Sequence, residues 1–159
     1  IFMESEQMYG DKMEIPEGEY IIPIGVADIK REGTDVTVVS FGKIIKEAYK
    51  AAEQLEKEGI SIEIIDLRTV RPLDHDAILK SVKKTNRLII LEEAWPFGNV
   101  STEITYRIQE EAFDYLDAPI KRINTADTPA PYSPVLFEKW IPNASDVVKA
   151  VKEVMYIKS

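Results

Sequence analysis

From residue 36 onward, short β-branched runs alternate with segments whose apolar residues recur every three or four positions. Val36-Thr37-Val38-Val39-Ser40-Phe41 has the length and composition of a strand, and Gly42 ends it. Ile44, Ala48, Ala51, Ala52 and Leu55 then share one helical stripe. Gly59 stands just past that helix, where a left-handed stop is wanted, and Ile60 can fold back over it. A second strand is expected over Ile62 to Leu67. Asp74 is placed to cap a helix carrying Ile78, Leu79 and Val82. Arg87 to Leu91 reads as a third strand, and Val100, Ile104 and Ile108 mark the next helix. Ile120 to Asn124 is a further strand, followed by a proline-rich loop from Thr128 to Pro142. A last helix, from about Ser145 to Met155, turns Val147, Val148, Val151 and Val154 towards the core.

The first twenty residues are polar and broken by Gly10, Pro16 and Gly18, so residues 1–20 read as a linker and 21–159 as one domain. A strand is also expected between Ile21 and Lys30, ending at the turn Glu32-Gly33-Thr34. Strand–helix alternation with near-continuously apolar strands predicts an α/β fold: a three-layer α/β/α sandwich around a mostly parallel five-stranded sheet.

Length and composition narrow the function classes. A chain of 159 residues, 45% hydrophobic and 30% charged, suits one globular domain. No apolar run reaches the roughly 20 residues that span a bilayer. Ile1-Phe2-Met3 is followed by Glu4 and Glu6, unlike a signal peptide, and the missing initial methionine suggests a cut or processed chain. The net charge of -8 disfavours nucleic acid and anionic membrane as partners and favours a basic one. The absence of cysteine excludes disulfides and thiolate chemistry.

Residues with catalytic potential are explained first by structure. Ser40-Phe41-Gly42 lacks the glycine spacing of a phosphate loop and reads as a tight turn. Asp74-His75-Asp76 contains the only histidine, but such close neighbours do not share a helix face; His75 is expected to face solvent in a first helical turn. Glu92 and Glu93 end a strand and must point to opposite faces, so they do not converge on one atom; one of them is expected to bind a backbone amide or an arginine. Trp95, Phe97 and Tyr132 concentrate aromatic surface in two proline-bearing loops. Subunit contact and core packing fit those loops equally.

Several blocks resemble the C-terminal domain of beta chains of thiamine-dependent 2-oxo acid dehydrogenases, a domain shared with transketolase. They are Glu4–Gly10, Ile22-Pro23-Ile24-Gly25, Arg31–Thr37, Asp66–Asp74, Lys84–Leu88 and Leu116–Ile120 with Arg122. Trp95-Pro96-Phe97-Gly98 and Thr125–Tyr132 resemble the pyruvate-specific branch. Branched-chain 2-oxo acid and acetoin dehydrogenases are the alternatives within the family, and a non-catalytic oligomerisation module is the alternative outside it.

The resemblance implies an enzyme that uses thiamine diphosphate and magnesium, with the diphosphate and metal held by an alpha subunit and the activating carboxylate supplied by a preceding beta domain. No catalytic, cofactor or metal residue is then expected in this chain, and the fragment alone should be inactive. The implied partners are the alpha subunit, a second beta subunit and the basic subunit-binding domain of a dihydrolipoyl acyltransferase. Asp117 and the terminal carboxylate on Ser159 correspond to that docking site, while Trp95, Phe97 and Tyr132, on their aromatic character, are the candidates for a subunit interface. The implied compartment is the cytoplasm in a bacterium and the mitochondrial matrix in a eukaryote.

Overall fold

A computed structural model describes residues 1–157. Five strands form one sheet: β1 (Asp28–Arg31), β2 (Val36–Ser40), β3 (Ile62–Asp66), β4 (Leu88–Leu91) and β5 (Lys121–Ile123). Their order is β1-β3-β2-β4-β5, with β1 antiparallel to β3 and the other pairs parallel. Five α-helices accompany them: α1 (Ile45–Glu56), α2 (His75–Thr85), α3 (Val100–Ala112), α4 (Pro134–Trp140) and α5 (Ala144–Val154). The three-layer expectation holds.

Alternation along each strand divides the core in two. Val36, Val38, Ile62, Ile64, Ile89 and Leu91 pack against α1 and α5. Val39, Ile65, Leu88 and Ile90 pack against α2 and α3 on the other face. The caps follow the sequence closely. Gly59, at φ 77°, closes α1, and the Ile60 amide bonds back to the Leu55 carbonyl at 3.0 Å. The Asp74 carboxylate accepts from the Ala77 amide at 3.1 Å and the Ala27 amide at 2.8 Å, tying α2 to the chain before β1.

Three expectations need correction. The strand expected from Ile21 begins only at Asp28. Tyr20, Ile21, Ile22 and Ile24 precede it outside the sheet, with their side chains exposed. The proline-rich segment is not loop throughout, because Pro134 opens α4: a first-turn proline gives up no hydrogen bond and already has a helical φ. His75 does not face solvent either. Its side chain is only 12% exposed, with Nε2 3.2 Å from a Glu111 carboxylate oxygen on α3.

Candidate docking and subunit-contact surfaces

Because β3 and β4 lie on opposite sides of β2, the switch point of the sheet falls at the carboxyl ends of β2 and β4. The side chains there are engaged with one another. Glu92 is fully buried; it accepts from the Ser101 amide at 3.3 Å and from Asn124 Nδ2 at 2.8 Å. Glu93 points to the other face and pairs with Lys43 at 3.0 Å. The two carboxylates therefore diverge, and one does bind a backbone amide.

Beyond these strand ends lies the aromatic surface. The indole nitrogens of Trp95 and Trp140 both donate to the Thr128 carbonyl, at 2.9 and 2.8 Å. That shared acceptor joins the loop after β4, the loop after β5 and the end of α4. Trp95 nevertheless remains 54% exposed, Phe97 is 90% exposed and Tyr132 is fully exposed. Val135 and Leu136 add apolar surface from α4. Core packing, one of the two readings for these loops, fails for Phe97 and Tyr132, whose side chains find almost no cover.

Asp117 sits at the opposite, amino end of the sheet, just ahead of β5. Its amide donates to the Asn86 carbonyl at 2.9 Å, and its own carbonyl accepts from Tyr156 Oη at 3.2 Å. The carboxylate is 56% exposed and lies 3.3 Å from Arg87. Arg87 also donates to the carbonyls of Val154 at 3.1 Å and Asp35 at 3.4 Å, so one guanidinium binds Asp117 to the end of α5. Ser159 lies outside the described residues.

A third cluster escaped the sequence reading. Glu63 is buried within β3, where Ser81 donates to it at 2.5 Å and the Gly33 amide at 3.3 Å. Lys84 pairs with Glu63 and, at 3.0 Å, with Glu32. Thr37 extends the network to Ser81 and Thr85, each at 2.6 Å. Within an apolar strand only the charge of Glu63 signalled it, and no spacing rule names its partners. The cluster is a satisfied buried network with no open coordination position.

Magnesium diphosphate does not fit these residues. No group of three or more metal-ligating side chains converges among the described residues. An open groove of about 480 Å³ beside β5 and α5 is lined by Lys121, Lys139, Lys149, Asp146 and Glu153. Glu153 is paired with Lys121 and Asp146 caps α5, so both carboxylates of the groove already serve the fold. No helix among the described residues is long and apolar enough to cross a membrane.

Comparison with known proteins places this geometry. The family model for "Transketolase, C-terminal domain" matches residues 25–147. The pyruvate dehydrogenase E1 component subunit beta of Rhizobium meliloti is 50% identical over 98% of this chain and 34% of its own. Its counterpart in Rickettsia felis is 48% identical over 98% of this chain and 48% of its own. The acetoin:2,6-dichlorophenolindophenol oxidoreductase subunit beta of Bacillus subtilis is 47% identical over 97% of this chain and 45% of its own. A split-gene transketolase, solved as an inactive beta4 tetramer, superposes with a TM-score of 0.78 at 27% identity, covering 92% of this chain and 48% of that one. The chain thus spans between a third and a half of the length of these curated relatives. On both sequence and architecture, the chain belongs to the transketolase C-terminal domain family.

Proposed function

We propose that this chain is the C-terminal part of the beta chain of a pyruvate dehydrogenase, serving subunit assembly and docking. The observation that carries the reading is its 50% and 48% identity, over 98% of the chain, to two pyruvate dehydrogenase beta subunits. On this reading the alpha subunit holds the diphosphate and magnesium, a preceding beta domain supplies the carboxylate that activates the cofactor, and residues 1–20 are the linker. The fragment alone has no turnover. Its place is the bacterial cytoplasm or the mitochondrial matrix.

Two surfaces divide the work. Trp95, Phe97 and Tyr132, joined by Val135 and Leu136, offer the exposed aromatic and apolar area that subunit interfaces favour. This face meets the alpha subunit or the second beta subunit. Asp117, with the terminal carboxylate on Ser159, receives the basic subunit-binding domain of the acyltransferase. An acidic chain steering a basic partner accords with the net charge of -8.

Reconstitution tests the assignment. The full-length beta chain, combined with its alpha partner, should decarboxylate pyruvate only when thiamine diphosphate and magnesium are added. The 47% identity to an acetoin oxidoreductase beta subunit supports one second reading, the acetoin enzyme. Turnover of acetoin with none of pyruvate would select it, and turnover of neither would leave a non-catalytic module.

A further inference from the structure

Positive charge collects at one place on this acidic chain. The groove beside β5 and α5 is lined by Lys121, Lys139 and Lys149, with Asp146 and Glu153 among them. Both carboxylates are engaged. Glu153 pairs with Lys121 at 2.9 Å, and Asp146 accepts from the Asn143 amide at 2.9 Å in the cap of α5. The Lys121 hydrogen bond holds Glu153 below its ordinary 4.5, and the charge of Lys149 lowers it further. Lys139 and Lys149 themselves form no ion pair among the described residues, so their ammonium groups stay open.

The same wall holds a buried group without a partner. Thr125 is 3% exposed and its hydroxyl makes no hydrogen bond, although its amide donates to the Ala94 carbonyl at 3.0 Å. It lines the groove two residues past Ile123. An unpaired buried hydroxyl costs stability, and native folds keep few of them without a use. Arg122, the one guanidinium at the groove, is turned to other work: it donates to the Pro96 carbonyl at 2.9 Å and the Thr102 hydroxyl at 3.0 Å. Trp140, Ile141 and Pro142 make up the apolar part of the lining.

We propose that this groove binds the phosphate group of a small organic phosphate, without a metal. Lys139 and Lys149 supply two positive charges for the dianion. The Thr125 hydroxyl, by rotation about its Cα–Cβ bond, donates to one of its oxygens. An ammonium is a point charge that a tetrahedral anion accepts from any side. A planar carboxylate is matched better by a guanidinium fork, and the guanidinium here is committed elsewhere. A volume of about 480 Å³ is of the size that small-molecule sites have, and the apolar lining receives the organic part. The site belongs to this domain whichever substrate the enzyme turns over and wherever the acyltransferase docks.

Calorimetry on the assembled enzyme, with a full-length beta chain and its alpha partner, tests the site. Thiamine diphosphate and magnesium are kept saturating, so that the coenzyme's own phosphate pocket is filled. The probes are phenyl phosphate and phthalate, two aromatic dianions that differ in the anionic group. Phenyl phosphate should bind the parent, and about tenfold more weakly the double variant Lys139→Gln with Lys149→Gln. Lys80→Gln removes an exposed lysine from α2, across the sheet, and should stay within about twofold of the parent. Thr125→Val keeps the shape and removes the unpaired hydroxyl, so affinity falls about fivefold while the melting temperature holds or rises. No binding by the parent, unchanged affinity in the double variant, an equal loss in Lys80→Gln, or phthalate bound as tightly as phenyl phosphate overturns the site. A lowered melting temperature in Thr125→Val shows the hydroxyl bonded within the fold, which also overturns it.

Discussion

Gly33 shows how much one absent methyl group can decide. A Cβ built there would lie 2.2 Å from the backbone carbon of Ile62 and 2.3 Å from the Glu63 amide nitrogen, so the turn before β2 presses directly on β3. Gly33→Ala should therefore cost about 2–3 kcal/mol in urea unfolding, and a loss under about 0.5 kcal/mol would contradict the close approach. The turn itself was legible in Glu32-Gly33-Thr34. Its contact was not, since sequence spacing says nothing about which backbone a turn will meet. Nearby, removing Lys84 would strand the buried Glu63 carboxylate. Lys84→Met should cost about 2–3 kcal/mol, below the full penalty of a buried pair because Lys84 is partly exposed. Hydrogen bonding to Glu63, and then to Glu32, raises the Lys84 pKa above its ordinary 10.5; the Lys84 contact lowers Glu32 below its ordinary 4.5. A raised lysine contributes stability that is complete below pH 10.5 and fades as pH rises through its folded value. A lowered glutamate contributes above pH 4.5 and fades as pH falls through its folded value. Urea midpoints should decline at the alkaline end in the parent and much less in Lys84→Met.

At the scale of elements, strands and helices with a clear apolar period were legible to within a residue or two. Even the short edge strand β5 lies at Lys121–Ile123, one residue inside each expected end. The other edge was not legible: β1 is Asp28–Arg31, a polar strand whose sequence has no buried stripe to mark it. The apolar residues from Tyr20 to Ile24 imitate a strand, yet they lie outside the sheet with exposed side chains. α4 was hidden because proline reads as a breaker unless it falls in a first turn. The start of α5 was placed one residue late, and its capping box explains why it starts where it does. The Asn143 side chain accepts from the Ser145 amide at 2.8 Å while Asp146 accepts from the Asn143 amide at 2.9 Å. Asn143→Ala should lower stability by about 1 kcal/mol, and a thermal melt indistinguishable from the parent would show that the cap contributes nothing. The tryptophan pair makes a second prediction at this scale. With Trp140→Phe, Thr128 loses one of its two indole donors, and amide exchange across 125–133 should quicken while the strands stay protected.

For the whole molecule, charge makes the docking proposal measurable. Asp117→Lys should weaken binding of the basic subunit-binding domain about tenfold or more, with the fold kept and the melting temperature lowered only slightly, because the Arg87 ion pair it breaks is partly exposed. Added salt should weaken the parent more steeply than the variant. Equal affinity for parent and variant would remove Asp117 from the contact. The overall architecture was legible because alternation of strand and helix period leaves few packings. The placement of Asp117 beside Tyr156 was not, because the two are joined only through the fold, by contacts linking residues far apart in the chain.

The sheet sets the aromatic face and the Asp117 corner at its two ends, with a fully buried core between them. If the proposed docking and subunit contacts use these two surfaces, neither has to be released for the other to form. On the proposed reading, a mobile carrier would arrive and depart at one pole while the quaternary lock at the other stays shut, so that exchange of cargo and permanence of assembly need never compete for the same surface.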